Sequence, residues 1–452
     1  MKRTFSTILG AALCAACLAL AGCPDAAAPV DVVATDTTDT TDTTDSTDVT
    51  EITVDAPAIT TEVSGTVCTV TITCATSGAA IYYTLDGTTA TESSTAYGSP
   101  FTIIGYGVSK NISAIAALDG KTSETGSASV SIGSALSVTG TASTLANTSM
   151  NWPTSITTDG TNVYFCDSGN HRICALDVST GTLSTIAGGT SGTADGTGSA
   201  AQFVYPSGIT TDGTNLYVTD ESAFTIRKIV ISSGVVTTLA GKAGMSDQVD
   251  GPCASARFYY PTGITTDGAS LFIADWGSYA IRRIALATAE VTTLAGSTEG
   301  DSGYVDGTGT AARFYNPTYI TTDGANLYVT DSGNFAIRKI VISTAEVTTL
   351  AGSTLGEYGA GFTDGTGSAA SFSTINGIAT DGTNLYVADT GNLALRKIVI
   401  SSGVVTTMLK DYIYSGTSVW SPYGLCADGR GLFVTATGSS TTAGANAIYK
   451  VQ

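Results

Sequence analysis

The chain has 452 residues, with 38 acidic and 19 basic side chains, one histidine and a formal net charge of −19; 42% of the residues are hydrophobic and 52 are glycine. So acidic a chain repels nucleic acid and anionic lipid, which argues against any genome-facing role and favours a cationic group, a metal ion or a basic partner as guest. The length allows more than one buried core.

In chain order, residues 1–22 form a leader: Lys2 and Arg3, then an apolar stretch too short and wrongly flanked for a comfortable membrane span. The run Leu20-Ala21-Gly22-Cys23 resembles a bacterial lipoprotein signal. That resemblance implies lipidation of Cys23, anchoring in the membrane by acyl chains, and a place in the cell envelope, at the outer membrane or cell surface. An ordinary secretory leader is the other reading. Cleavage would remove Lys2 and Arg3 and leave a charge of −21.

Residues 23–51 are rich in Ala, Pro, Thr and Asp, with Asp36, Asp39, Asp42, Asp45 and Asp48 at every third position. Without apolar periodicity, and with like charges repelling, this stretch is expected to be a disordered tether spanning roughly 30 Å.

From 52 to 133 the pattern becomes one of short strands and turns, as in VCTVTITC and ISAIAALDG, which predicts a small β-sandwich. Ile81-Tyr82-Tyr83-Thr84-Leu85-Asp86-Gly87-Thr88, with Tyr97, Ala114-Ile115-Ala116 and Gly120, resembles the immunoglobulin-like domain at the C-terminus of chitobiases; Ala90 stands where that pattern usually has proline. The resemblance implies a non-catalytic domain, read here as a spacer.

Residues 134–452 are built on a repeat. PSGITTDGTNLYVTDESAFTIRKIVISSGVVTTLAG begins at Pro206, with copies starting at Pro153, Pro261, Pro317 and Ile375 and a degraded one at Pro422. The start-to-start steps are 53, 55, 56, 58 and 47 residues, a period expected of propellers and solenoids. Each copy reads as four short strands rich in Thr, Val, Ile and Tyr, the first two joined by an Asp-Gly hairpin. This run, followed by VTTLAG and D-G-x-G-x-x-A-x-F, resembles the NHL-repeat family of β-propellers. The expected fold is therefore all-β: a six-bladed propeller behind a small sandwich. The last copy ends after three strands, and ASTLAN at 142–147 matches the missing fourth, so the N-terminal side is expected to close the ring.

In such a blade the turns between strands two and three share a face with the long connections between blades, so binding loops are expected there. Its acidic residues, Asp195, Asp247, Asp250, Glu299, Asp301, Asp306, Glu357 and Asp364 in the long loops and Asp167, Asp220, Glu221, Asp275, Asp331 and Asp389 in the inner turns, raise a calcium site or a cationic docking surface. The structural alternative is stronger for Asp195, Asp250, Asp306 and Asp364, each opening a D-G turn where Asp bonds its own backbone. Asp220, Asp275, Asp331 and Asp389 are each followed seven residues later by Arg227, Arg282, Arg338 and Arg396, a spacing that reads as scaffold pairs. Blade one has Cys174 in the arginine slot, and blade six has Ala436 in the aspartate slot.

Phe224, Trp276, Tyr279, Tyr304, Phe335 and Tyr358 form the aromatic complement of this face, suited either to stacking on sugar rings or anchoring a peptide, or to packing the loops. Cys166 and Cys174 flank the DSGNHRI turn; a disulfide across that hairpin and two free thiols both stay open. The one histidine, His171, shares its slot with Phe224, Tyr279, Phe335 and Leu393, so it reads as a contact residue. Propeller enzymes such as streptogramin lyase depend on several histidines, which this chain lacks. The expected function is that of a tethered, non-catalytic module binding protein or glycan, with no cofactor required. A lactonase-like, metal-dependent hydrolase or lyase using channel carboxylates is the alternative.

Overall fold

The computed structural model describes residues 53–452, apart from 65, 134, 139–140, 147–148, 411–412, 415–416, 419–420 and 438–445. Cys23 and the Asp/Thr-rich stretch lie outside the described residues. Ile52–Gln452 form one compact unit.

Ahead of the repeats, two antiparallel sheets form the sandwich. One orders Ala58–Ser64, Val67–Thr73 and Phe101–Ile104; the other is built around the long strand Ser109–Leu118. Cys68, Val70, Ile72, Ile112, Ala114 and Val130 alternate inward from the two sheets and close its core.

The repeats give six further sheets of four or five antiparallel strands. In the second copy the main strands are Pro206–Thr211, Asn215–Asp220, Thr225–Val230 and Val235–Gly241. The first turn is stabilised by its own sequence. Asp212 Oδ1 accepts the N–H groups of Thr214 (2.9 Å) and Asn215 (2.6 Å), Tyr217 donates its hydroxyl to Oδ2 (2.8 Å), and Gly213 takes a φ of 80°. Leu216 and Val218 point into the core between this sheet and its neighbour, beside Ile209, Ile229 and Val236.

A fifth strand was not anticipated from the sequence. The Gly-Thr pairs at 196–197, 307–308 and 365–366, and Gly251–Pro252, add onto the outermost strand of the following sheet. They lie within the D-G-x-G run, so a segment that looked like a turn instead covers an otherwise bare edge.

The first strand of each sheet touches the first strand of the next, and Pro422–Asp428 in the last sheet touches both Ile375–Thr380 and Pro153–Thr158. Thr435 Oγ1 donates to Thr154 O (2.5 Å) and Thr158 Oγ1 to Asp428 Oδ2 (3.0 Å), linking the last sheet to the first. Ala142–Ala146 pairs antiparallel with Ala447–Val451 as the outermost strand of that sheet.

The sandwich is more than the spacer read from its sequence. Its loops sit on the Asp-Gly turns of the repeats. Thr66 Oγ1 donates to Thr158 O (3.3 Å), Lys110 Nζ donates to Gly324 O, and Tyr106 packs into the cluster of Leu425, Ala427 and Leu432. A Cβ on Gly107 would lie 2.1 Å from the Asp381 carbonyl carbon, so only glycine permits this approach.

Candidate functional site

Two constructions occupy the other face: a set of repeated arginine nodes and one non-repeated cavity. In the nodes the seven-residue Asp-Arg spacing places carboxylate and guanidinium on neighbouring strands. Arg338 Nη1 donates to Asp331 Oδ2 (2.8 Å) and Arg313 O (2.9 Å), while Nη2 donates to Asp306 Oδ1 (2.8 Å) and Val305 O (2.9 Å). Arg282 binds Asp275 (3.1 Å) and Asp250 (2.6 Å), Arg396 binds Asp389 (2.7 Å) and Asp364 (2.8 Å), and Arg227 binds Asp195 (2.8 Å) with Asp220 at 3.6 Å. The motif phenylalanines Phe203, Phe258, Phe314 and Phe372 lie about 5 Å beneath the four guanidinium groups. Burial outweighs the pull of Arg338 and leaves the Asp331 carboxyl raised to about 6, still mostly ionised at neutral pH.

These nodes correct the reading of Asp195, Asp250, Asp306 and Asp364. Their carboxylates do not bond their own turns; each reaches an arginine and a threonine 43 residues on, as Asp306 does with Thr349 N and Oγ1 (both 3.0 Å). The first copy meets the same need differently. With Cys174 in the arginine slot, Arg172 two residues earlier pairs with Asp167 (2.7 Å).

The cavity has a volume of about 630 Å³ and opens at the centre of this face, between the inner strands and the turns that follow the second strands. Its distinctive walls are residues that break the repeat. The slot after the buried aspartate holds Ser168, Ser332 and Thr390, whose hydroxyls donate to a first-strand carbonyl of the next sheet, at 2.5 Å from Ser168 to Pro206 O and 2.6 Å from Thr390 to Pro422 O. In the second and third copies that slot is Glu221 and Trp276, and both line the cavity. Thr262 Oγ1 keeps a link to the next sheet, donating to Thr318 O (2.7 Å).

A second departure lies on the inner strands. Gly208, Gly263, Gly377 and Gly424 share one slot, and a Cβ on Gly424 would fall 2.1 Å from Thr154 O. The fourth copy has Tyr319 there instead. It is 5% exposed, lines both the cavity and the narrow channel of about 110 Å³ beneath it, and so divides the two. Its ring meets Tyr423 edge-on at 5.9 Å, and its buried hydroxyl lacks a hydrogen-bond partner of good geometry. Tyr423 itself occupies a slot held elsewhere by Thr154, Ser207, Thr262, Thr318 and Asn376. Tyr260 and Trp276, with rings edge-on at 6.0 Å, form the outer wall.

Glu221 is the one charged side chain in the lining. Burial pushes its carboxyl up to about 7; Ser207 acts through a hydrogen bond to lower it, and Asp220 adds to the rise. Burial also raises the phenols of Tyr205 and Tyr319 and takes that of Tyr423 up to about 12.

Residues 61–127 match the model of the chitobiase/beta-hexosaminidase C-terminal domain. The chain is 30% identical over 195 residues to NHL repeat-containing protein 2 of Bos taurus, covering 40% of this chain and 26% of that protein. It is 26% identical over 353 residues to the Gallus gallus protein of the same name, covering 57% and 48%. The chain is similar to NHL repeat-containing proteins. It spans about half or less of the length of these two relatives. Among solved structures, an auxiliary nutrient binding protein from Bacteroides thetaiotaomicron aligns with a TM-score of 0.49 at 14% identity, over 89% of this chain and 98% of that one.

Of the six aromatics expected on the loop face of the NHL-type repeats, Trp276 lines the cavity, and Phe224 backs it by meeting Tyr260 at 5.0 Å. The others are elsewhere. Tyr279 packs on Tyr315 at 6.0 Å, Tyr304 lies 5.2 Å from the Arg338 guanidinium, and Tyr358 is 81% exposed on an outer loop. Phe335 belongs with His171, Phe224, Tyr279 and Leu393, which all take left-handed φ between 51° and 61° at the end of the turn after strand two. His171 Nδ1 lies 2.8 Å from Val204 O.

The Cys166–Cys174 disulfide is absent. Cys166 stands opposite Ile173 and Cys174 opposite Phe165, one step out of register, so their side chains leave opposite faces of the sheet into two different cores. Among the described residues no three His, Cys, Asp or Glu side chains form a group able to hold a metal ion.

Sequence reasoning named Glu221 only as one of many acids and missed Tyr260, Tyr319 and Tyr423. The signal was present in the slot-by-slot alignment: a carboxylate where copies carry a hydroxyl, a tyrosine where they carry glycine.

Proposed function

We propose that the six sheets close as a six-bladed propeller, sealed by Ala142–Ala146, and that the chain is a non-catalytic binding module whose ligand enters the cavity at the open mouth of the channel. The observation that carries this reading is the convergence of out-of-repeat residues on one pocket. Scaffold positions recur because every blade needs them; Glu221, Trp276, Tyr319 and Tyr423 do nothing for the repeat and share only this space. Aromatic walls and convergent hydroxyl and amide groups suit a polar ligand with apolar faces, such as a glycan or a protein segment. The sandwich supports the reading by sitting across the opposite end, where Thr66, Gly105 and Tyr106 line the narrow channel.

Placement at the cell envelope through a lipid on Cys23 completes the proposal and rests on the leader sequence alone. The test is a binding screen of the whole mature chain against envelope glycans and extracellular proteins, with and without calcium. Saturable binding that is lost in Trp276→Ala and kept in Tyr279→Ala is the expected result. Binding kept in Trp276→Ala would move the site elsewhere on the molecule.

A further inference from the structure

Of the six acids in the inner turns of this face, five are matched by a cation, while Asp247, Glu299, Asp301 and Glu357 stand exposed in the long loops. Asp167 has Arg172; Asp220 and Asp195 have Arg227; Asp275 and Asp250 have Arg282; the remaining nodes repeat the pattern. Glu221 breaks the rule. It lies half-buried in a cavity wall with the Ser207 hydroxyl as its hydrogen-bond partner, and among the described residues no lysine, arginine or histidine forms an ion pair with it. A partly desolvated carboxylate without a counter-charge either stays protonated or awaits one. The walls around it indicate which. Trp276, Tyr260, Tyr319 and Tyr423 line the same space; aromatic faces are electron-rich, and an aromatic enclosure with a single carboxylate is the chemistry that recognises an alkylammonium group. The Tyr319 hydroxyl, buried between cavity and channel beside the Tyr423 phenol, adds an oxygen acceptor at the floor.

We infer that the cavity takes the ammonium group of an organic cation, seated between the Glu221 carboxylate and the rings of Trp276, Tyr260 and Tyr319. This rests on the binding reading above and narrows it to a ligand carrying a fixed or protonated amine, supplied by a quaternary amine or by an amino sugar. The net charge of −19 favours the approach of such a ligand at low ionic strength.

The groups facing Glu221 leave it as the titrating element. The phenols of Tyr205, Tyr319 and Tyr423 and the Cys166 thiol are all raised by burial and remain protonated near neutrality. Asp220 is held by Arg227 and by the N–H groups of Val204 and Tyr205. His171 acts on Asp220, and a Glu221→Gln variant separates its contribution.

The experiment is calorimetric titration of the whole chain with two matched pairs: choline against 3,3-dimethyl-1-butanol, and glucosamine against glucose. The expected result is that at least one ammonium compound binds about tenfold or more tightly than its neutral isostere. For choline, whose charge is fixed, that preference should grow roughly tenfold from pH 6 to pH 8, as a carboxyl with a pKa near 7 ionises; for glucosamine, whose own amine loses its proton toward pH 8, it should grow less; and in both it should vanish in Glu221→Gln. The pair showing the preference identifies the source of the amine. Equal affinity within both pairs, tighter binding on acidification, or a preference that survives Glu221→Gln each overturns the inference. The wild-type comparison of isosteres needs no variant to fold. If the Trp276-dependent binding of the previous section holds while both pairs show no preference, only the cation is wrong; if that binding fails too, the cavity is not the binding site.

Discussion

Asp220 and Glu221 are consecutive carboxylates on one strand end, and they belong to different kinds of structure. Asp220 faces outward into a node that recurs in the neighbouring copies, with an arginine, backbone N–H groups and a phenylalanine beneath. Glu221 faces the cavity, where its counterparts are hydroxyls in the first, fourth and fifth copies and Trp276 in the third, and where nothing in the repeat supplies a cation. The node is a means of burying polar chain between sheets: four of the five guanidinium donors of Arg338 are satisfied at once. The cavity is where the repeat gives up that completeness. Repetition therefore marks scaffold in this molecule, and its failure at neighbouring positions marks the candidate site.

The largest expected effect breaks the node. Arg338→Ala leaves Asp331 buried without a cation and should cost about 3–5 kcal/mol, read as a fall in the denaturant midpoint at unchanged slope. Arg338→Lys keeps the charge but not the fork and should fall between the two. An unchanged midpoint in Arg338→Ala would remove the scaffold assignment.

Next is the pH dependence that Glu221 contributes beside the raised node aspartates. A carboxyl whose pKa is raised on folding favours the folded state while protonated. Its contribution is present in full below the ordinary value of 4.5 and is lost as pH rises through about 7. The loss is at most about 3 kcal/mol from the size of the shift. Glu221→Gln should flatten that part of the stability profile between pH 4.5 and 7; an identical slope in the variant would show that Glu221 is not the group responsible.

A smaller effect, about 1–3 kcal/mol, is expected for Gly107→Ala, whose Cβ would enter the Asp381–Gly382 backbone. Limited proteolysis should then cut the sandwich sooner than in the wild type; equal resistance would mean that the sandwich does not depend on this seat. The smallest stability effect is expected for Trp276→Ala. At 38% exposure the side chain should be worth little to folding, within about 0.5 kcal/mol, while ligand binding is lost. A large drop in thermal midpoint would place Trp276 with the scaffold.

The repeat, its four main strands and the Asp-Arg spacing were legible in the chain because each is a local pattern: strand alternation, Asp-Gly turns and a fixed seven-residue interval across one hairpin. The fifth strand was not, since Gly196-Thr197 gains its partner, Val235-Val236, only when the outer strand of the following sheet lies beside it. The same holds for Asp306, whose arginine and threonine lie 32 and 43 residues away. The choice between a Cys166–Cys174 disulfide and two free thiols, open in the sequence, was decided by a parity that spacing does not reveal: the two are one register step apart and face different cores.

What the amino-acid sequence determined by itself was the unit: short β-branched strands, tight Asp-Gly turns and the number of times they recur, all consequences of near-neighbour chemistry. Tertiary structure alone decided which departures from that unit meet. Glu221, Trp276, Tyr319 and Tyr423 come from four different copies, so only the stacking of sheet beside sheet brings them to one cavity. It also decided that the sandwich crosses the far end, because the contact of Gly107 with Asp381 and Gly382 depends on the fit of two backbones that no local pattern encodes.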